Sequence, residues 1–227
     1  MNSPRISANK LGEYMIASVA RRRTIIRDQK HPPTIKVARY QQAKEAAEQY
    51  FLSGGKDSKA VEAAIVRLRA KTVGSDWALE DAQSTAQALD MLLSMRDQLF
   101  AEGMTYVRAP AQPARLVIAG VGISVQPHML LLDEKRGKMG AVRLHYTKTT
   151  ESALNGEGGD YVATLLHQWA NKHGMRPGFV AAPQLSRCID VFRKAVVKGP
   201  SAQSRRMDHI TAACEEIAAR WSTIGDK

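Results

Sequence analysis

Residues Pro127–Thr150 read PHMLLLDEKRGKMGAVRLHYTKTT. His128–Asp133 is a short apolar run, and Lys135-Arg136-Gly137-Lys138 has the residues of a hairpin turn. Gly140–Lys148 alternates polar and apolar side chains as a half-buried strand does. Upstream, Arg115–Val125 (RLVIAGVGISV) is also rich in β-formers, and Gly120 and Gly122 predict a bend or bulge there. Three strands in succession are therefore expected between residues 115 and 148. Downstream, Asn155–Gly159 reads as a loop. Asp160 is placed to cap a helix carrying Tyr161, Leu165, Leu166 and Trp169 to about His173. Short strands are expected at Gly178–Ala182 and Cys188–Val197. After Gly199-Pro200, Ser201 starts a last helix with Ile210, Ala213, Cys214, Ile217 and Trp221 on one face.

The chain before this region has a helical period. Ser7 is a cap for a first helix, with Leu11, Tyr14, Met15 and Val19 as one apolar stripe that runs on into Arg21, Arg22, Arg23 and Arg27. His31-Pro32-Pro33 stops it, because proline lacks the amide hydrogen and restricts its predecessor. Further helices are expected over Val37–Leu52, over Lys59–Lys71 with Val61, Ala64, Ile65 and Leu68 inward, and from Ser75 or Asp76 to Phe100. The pattern changes at Ala109–Pro113. The reading is an α/β protein with a mixed sheet: a helical basic region over 1–110 and a sheet core over 111–227, packed as one unit.

The 227 residues are 44% hydrophobic and 24% charged, which suits a folded domain rather than a disordered chain. No stretch approaches the roughly 18–20 uncharged apolar residues of a membrane span. The first residues lack the basic, apolar and small-residue succession of a secretion signal, and Cys188 and Cys214 stand alone. A cytoplasmic protein with reduced thiols, and no membrane, is expected. No nucleophile elbow, Walker loop, H-E-x-x-H or dinucleotide fingerprint occurs.

Charge is the stronger signal. The net charge is +11, carried as +7 in residues 1–40, −2 in 41–110 and +6 in 111–227. Arg21, Arg22, Arg23, Arg27, Lys30, Lys36 and Arg39 put seven cations within nineteen residues, and Arg205 and Arg206 open the last helix with Lys194 and Lys198 close by in sequence. Guanidinium groups grip phosphate bidentately, so these residues are candidates for contacts to a nucleic-acid backbone, DNA before RNA. The bland reading of the same residues is a solvated basic face. Aromatic residues do not interleave with them, which argues against a stacking platform for single strands.

Two family resemblances follow. Ser53-Gly54-Gly55-Lys56-Asp57-Ser58 resembles the SGGxDS loop of ATP-pyrophosphatases, where amides and a helix N-terminus cradle pyrophosphate. That chemistry requires a buried strand before the glycines, whereas Lys44–Leu52 reads as helix, and a glycine C-cap followed by an N-cap at Asp57 or Ser58 accounts for the same letters.

The second is wider. Residues 113–224 resemble the core of the PD-(D/E)XK nuclease superfamily, in its RecB-like branch, whose order is a helix, three strands, a helix and two strands. In that family the second strand begins Pro-Asp and the third carries Glu-x-Lys; the carboxylates hold a divalent ion, commonly Mg²⁺, and the lysine serves the attacking water. Here Pro127 is followed by His128, and Tyr146-Thr147-Lys148-Thr149-Thr150 aligns with Glu-x-Lys-Thr-Ser, so Lys148 remains while His128 and Tyr146 stand in place of the carboxylates. A shifted register offers Arg143-Leu144-His145, and Ile6–Tyr14 looks like the family's leading helix with Glu13 as its acidic residue. The resemblance implies a nuclease-like αβββαββ scaffold that binds nucleic acid with its metal-dependent catalysis lost and no resident cofactor. By analogy, it implies a subunit of a nucleic-acid-processing or defence assembly with protein partners. The alternatives are an active Mg²⁺ nuclease using Asp133, Glu134 and Glu151 as displaced carboxylates, an ATP-pyrophosphatase-type protein, and a protein-interaction module.

Overall fold

The computed structural model describes residues 3–32, 40–174 and 176–224. A three-residue strand, β1 (Arg5–Ser7), leads into α1 (Ala8–Ile16), where the Ser7 hydroxyl accepts the Lys10 amide as an N-cap. A second serine cap, Ser18 to the Arg21 amide, starts α2 (Val19–Lys30) as a separate helix. The expected single apolar stripe is therefore cut: Leu11 and Tyr14 are fully buried, but Val19, beyond the break, is 60% exposed. Then come α3 (Gln41–Leu52), α4 (Lys59–Arg69) and α5 (Asp76–Ser94, capped by Ser75), with a last short turn α6 (Arg96–Leu99). The expected start of α3 at Val37 lies outside the described residues, as do Lys36 and Arg39.

The strands differ from the expectation in one instructive way. Residues 104–108, unassigned in sequence, form β2 (Met104–Arg108). Leu116–Ile118 (β3) and Val121–Ser124 (β4) are a hairpin turned at Ala119-Gly120, both at positive φ, so the glycine marks a reversal rather than a bulge. That hairpin pairs with β1 in a separate three-stranded sheet. The large sheet has the order β2, β5 (Met129–Asp133), β6 (Lys138–His145), β8 (Arg187–Asp190), β9 (Ala195–Lys198), with β7 (Val180–Ala181) beside the start of β6. β2, β5 and β6 form an antiparallel meander. Helix α7 (Glu157–His173) then crosses over so that β8 runs parallel to β6, and β9 returns antiparallel. The run Cys188–Val197 is thus two strands, separated by a 3₁₀ turn and Lys194 at φ 50°. The last helix, α8 (Ser204–Trp221), closes the chain. The fold is mixed α/β, helical first and sheet-rich later, and β2 and α1 from the first half belong to the layers of the second.

Both faces of the sheet are covered, which is why β5 reads as a continuous apolar run. Leu130, Leu132, Met139, Ala141 and Cys188 face α1, α7 and α8. Met129, Leu131, Val142, Leu144 and Ile189 face the α3–α5 helices. Helix α7 starts at Glu157, three residues before the expected cap at Asp160, and its early glycines are packing residues: a Cβ on Gly159 would lie 2.1 Å from the Leu154 carbonyl oxygen, and one on Gly12 of α1 2.6 Å from the Gly158 carbonyl oxygen. The sheet has an equally tight point at Gly140, where a Cβ would sit 2.1 Å from the Leu185 carbonyl carbon. Backbone on backbone has no rotamer to yield, so Gly140→Ala is expected to cost about 3 kcal/mol in chemical denaturation. Wild-type stability in that variant would contradict the close approach.

Candidate functional site

Strand β6 ends at His145, and its alternation sends Arg143 and His145 toward α1. Asn9 on α1 meets both. Its Oδ1 accepts from Arg143 Nε at 2.8 Å, and its Nδ2 donates to His145 Nδ1 at 3.0 Å. His145 Nε2–H donates in turn to the Ser152 carbonyl at 2.7 Å, which fixes a neutral tautomer. Burial lowers the His145 pKa against the opposing pull of that carbonyl. The Arg143 guanidinium also donates through Nη1 to the carbonyls of Val125, at 2.9 Å, and Gln126. Burial pushes its pKa down to about 10. His128, just before β5, accepts the Leu144 amide on Nδ1 at 3.0 Å, and burial, with the charges of Arg143 and Lys44, takes its pKa down to about 3.

Two carboxylates border this cluster, and both are engaged. Glu13, 2% exposed, receives Lys10 and Arg21; burial raises its pKa, but the two cations outweigh that and hold it below the ordinary range. Asp190, fully buried, accepts the Leu154 amide at 2.8 Å and the Arg193 amide at 3.3 Å. Arg193 also holds the carbonyls of Thr147 and Lys148, so Asp190 and Arg193 together anchor the chain leaving β6.

The motif residues expected to share one site are separated. Tyr146 lies past the end of β6, buried on the α3 side and stacked on Tyr40 with ring centroids 5.5 Å apart. Its hydroxyl has no hydrogen-bond partner among the described residues, and burial raises its pKa. Lys148 is exposed, its ammonium 5.5 Å from the centre of the Phe192 ring. The strand pair facing α1 is the other register, Arg143 and His145. Asp133 and Glu134 close the β5–β6 hairpin, where Asp133 accepts the Arg136 amide at 3.1 Å, whereas Glu151 sits in the turn beyond His145 at the opposite end of that ladder. Among the described residues no three His, Cys, Asp or Glu side chains gather as a group able to hold a metal ion. Cys188 and Cys214 are buried free thiols, each pushed up to about 12 by burial.

The SGGKDS segment caps α3, which is a helix where the pyrophosphate chemistry requires a strand. Its amides are already engaged: Gly54 N–H to Phe51 O, Gly55 N–H to Tyr50 O, and Asp57 N–H to the Ser53 hydroxyl. The glycine C-cap accounts for the letters.

The arginine cluster divides by partner. Arg21 is locked on Glu13. Arg22 donates to the carbonyls of Tyr14 and Met15 and lies 5.2 Å over the Tyr14 ring. Lys30 donates to the Ile224 carbonyl, and Arg206 to Asp160 at 2.8 Å. These four each have a partner within the chain. Arg205 is exposed, but with Arg206 it lies some fifteen residues from Arg220 along α8, about 22 Å at the helical rise. Arg23 and Arg27 remain, and Arg220 joins them from α8 across a cleft of about 530 Å³ lined also by Thr24, Thr223 and Ile224. Among the described residues Arg27 pairs with Asp28 alone, at 3.4 Å, and Arg220 bonds Glu216 at 2.8 Å. Sequence reading missed Arg220 because nothing in the sequence order places the end of α8 beside α2. It missed Asn9 because a capped helix start hides which neighbour is polar for another reason.

Comparison with protein-family models, with curated proteins and with solved structures yields no significant match.

Proposed function

We propose that this chain is a nuclease-like protein that binds a nucleic-acid backbone without cutting it. The observation that carries the reading is the α2–α8 cleft, which Arg23, Arg27 and Arg220 line from two helices. Two features support the nuclease-like part. The succession α1, β2, β5, β6, α7, β8, β9 has the helix, three-strand, helix, two-strand order of the PD-(D/E)XK core, with β2 in place of the expected first strand. At the sheet edge where that family keeps its carboxylates, the side chains are Arg143, His145 and Asn9. Mg²⁺ prefers oxygen ligands, and a half-buried arginine opposes any cation beside it. A cellular compartment shared with DNA, and association with a nucleic-acid-processing assembly, follow from the same reading. Among the described residues no helix is long and apolar enough to cross a membrane.

Arginines that contact phosphate displace counterions, so affinity falls with salt by about 0.9 log units per contact per decade. Titrating labelled duplex DNA against the full chain at several salt concentrations is expected to give a slope that falls by about 2.7 when Arg23, Arg27 and Arg220 are all changed to alanine. Single-stranded DNA and RNA arms rank the partners, and a Mg²⁺ arm with plasmid tests the absence of cleavage. Unchanged affinity and slope in the triple variant remove the cleft from the interface; Mg²⁺-dependent cutting removes the second half of the proposal.

A further inference from the structure

The three-stranded sheet turns one face inward and carries two arginines on the other. Its registers set Arg5 beside Gly122 and Ser7 beside Ser124, and Leu116 opposite Ile123 puts Arg115, one residue before β3, in the Ser124 row. Side chains two apart on a strand share a face. Ile6, Leu116 and Ile123 are buried beneath, so Arg5, Ser7, Gly122, Ser124 and Arg115 stand together on the outer side. They line a cleft of about 270 Å³ together with Gln29 of α2, and among the described residues lining it none is acidic.

The two arginines flank a gap in the middle strand. Arg115 leans over β4: its Cδ lies 3.9 Å from where a Gly122 Cβ would be, and Gly122 is the residue paired with Arg5. Neighbouring strands are about 4.8 Å apart, so β1 and β3 stand roughly 10 Å apart, and the glycine leaves the space over β4 unfilled. Among the described residues neither guanidinium has a hydrogen bond or an ion pair, unlike those of Arg21 and Arg193. Gln29 is oriented by the backbone. Its Oε1 accepts the Ser7 N–H at 3.1 Å, which leaves both Nε2 hydrogens as donors without a partner there. The Ser7 hydroxyl oxygen accepts the Lys10 amide, and the Ser124 hydroxyl has no partner among the described residues, so both hydroxyl hydrogens remain to donate.

A donor set without a carboxylate selects an anion, and its arrangement selects the class. One guanidinium fork satisfies a planar carboxylate, whereas a tetrahedral phosphate presents oxygens to two forks and to neutral donors besides. The cleft is smaller than the roughly 300–1,000 Å³ of sites for drug-sized ligands, which suits one small group. We propose that the outer face of this sheet binds a single phosphate group, gripped by Arg5 and Arg115 over Gly122 and hydrogen-bonded by Gln29, Ser7 and Ser124. The site is separate from the α2–α8 cleft, because Gln29 lies about 200° around α2 from Arg27. That the phosphate belongs to a nucleic-acid backbone rests on the function proposed above; the site itself does not.

The test uses the full chain and titration calorimetry. Inorganic phosphate, dimethyl phosphate and acetate are titrated separately, with ionic strength held constant by chloride. Inorganic phosphate is expected to bind, and acetate to bind about tenfold more weakly or worse. Dimethyl phosphate that binds as tightly marks a diester as the occupant, and weaker binding marks a free or terminal phosphate. Arg5→Gln and Arg115→Gln are each expected to weaken phosphate binding about tenfold or more, the size of one lost charge-assisted contact. Gly122→Val keeps both arginines but fills the space between them. A Cβ there meets nothing nearer than the Pro4 carbonyl oxygen at 3.7 Å, so this variant is expected to fold, with unchanged circular dichroism, and to lose the site. A wild type that binds phosphate no better than acetate, or folded arginine variants that bind it as the wild type does, overturn the site. In salt titrations with duplex DNA, the combined Arg5→Gln and Arg115→Gln variant is expected to lower the slope by about 0.9, one phosphate contact. An unchanged slope with phosphate binding lost keeps the site for a free phosphate and removes the backbone as its source. Phosphate binding that depends on both arginines in a protein that ignores DNA keeps the site and overturns the function.

Discussion

Between pH 6.5 and pH 4 the folded protein is expected to lose about 3 kcal/mol of stability through His128 alone. The imidazole of an unfolded chain takes up a proton near pH 6.5, whereas burial, aided by Arg143 and Lys44, keeps the folded ring neutral down to about pH 3. Throughout that window the unfolded state binds more protons, so stability falls as pH falls, and the loss is complete once the folded ring also protonates. His145, likewise depressed by burial, acts in the same direction. Glu13, held low by Lys10 and Arg21, contributes stability that begins to be lost as pH falls through the ordinary value of 4.5, at the lower end of this window, so the histidine's share is read from the difference between wild type and a His128 variant. A side-chain oxygen can accept the Leu144 amide in place of Nδ1, which makes His128→Asn the informative variant. Urea denaturation at pH 7 and pH 4 should show the acid loss reduced by about 3 kcal/mol in His128→Asn relative to wild type. An identical pH dependence in both proteins would mean that the ring is not buried in its neutral form. Native stabilities are commonly about 5–15 kcal/mol, so the effect is large enough to unfold a marginal variant.

Asp190→Ala is expected to cost about 3–5 kcal/mol. The carboxylate is fully buried, accepts the amides of Leu154 and Arg193, and faces the Arg193 guanidinium at 3.9 Å. Alanine leaves the Leu154 N–H unpaired in the interior and the Arg193 charge without its counterion, and each omission carries a desolvation penalty. Because Arg193 also grips the Thr147 and Lys148 carbonyls, the loss should be local before it is global: hydrogen exchange at Leu154 and through residues 147–154 should accelerate ahead of the α3–α5 helices. Asp190→Asn, which keeps an acceptor oxygen, should recover part of the stability. A fully stable Asp190→Ala protein would show that the carboxylate does not anchor this segment.

The legible features were local ones. Ser7 as a cap, a helix opening at Ser75 or Asp76, the inward face of α4, and the apolar run of β5 follow from spacing and from what each side chain can hydrogen-bond. The illegible ones depended on which element meets which. Arg115–Val125 has the composition of a core strand, yet its turn at Ala119-Gly120 folds it onto β1, and the inconspicuous Met104–Arg108 takes the sheet position beside β5. Likewise, Arg21 and Arg23 are two residues apart and read alike, but one is locked on Glu13 and the other lines an open cleft.

From its sequence alone this protein is determined to be a basic, mixed α/β chain, because composition, capping and period act over a few residues and need no distant partner. Which cations remain available, and which strand pair turns toward α1, only the tertiary structure decided. A guanidinium's role is set by the oxygen it meets, and Glu13, Asn9 and Gln126 reach Arg21 and Arg143 through the packing of α1 on α7 and the turn before β5. A strand's useful face depends on where its ladder ends, and β6 stops at His145, one residue short of the tyrosine that the motif spacing favoured.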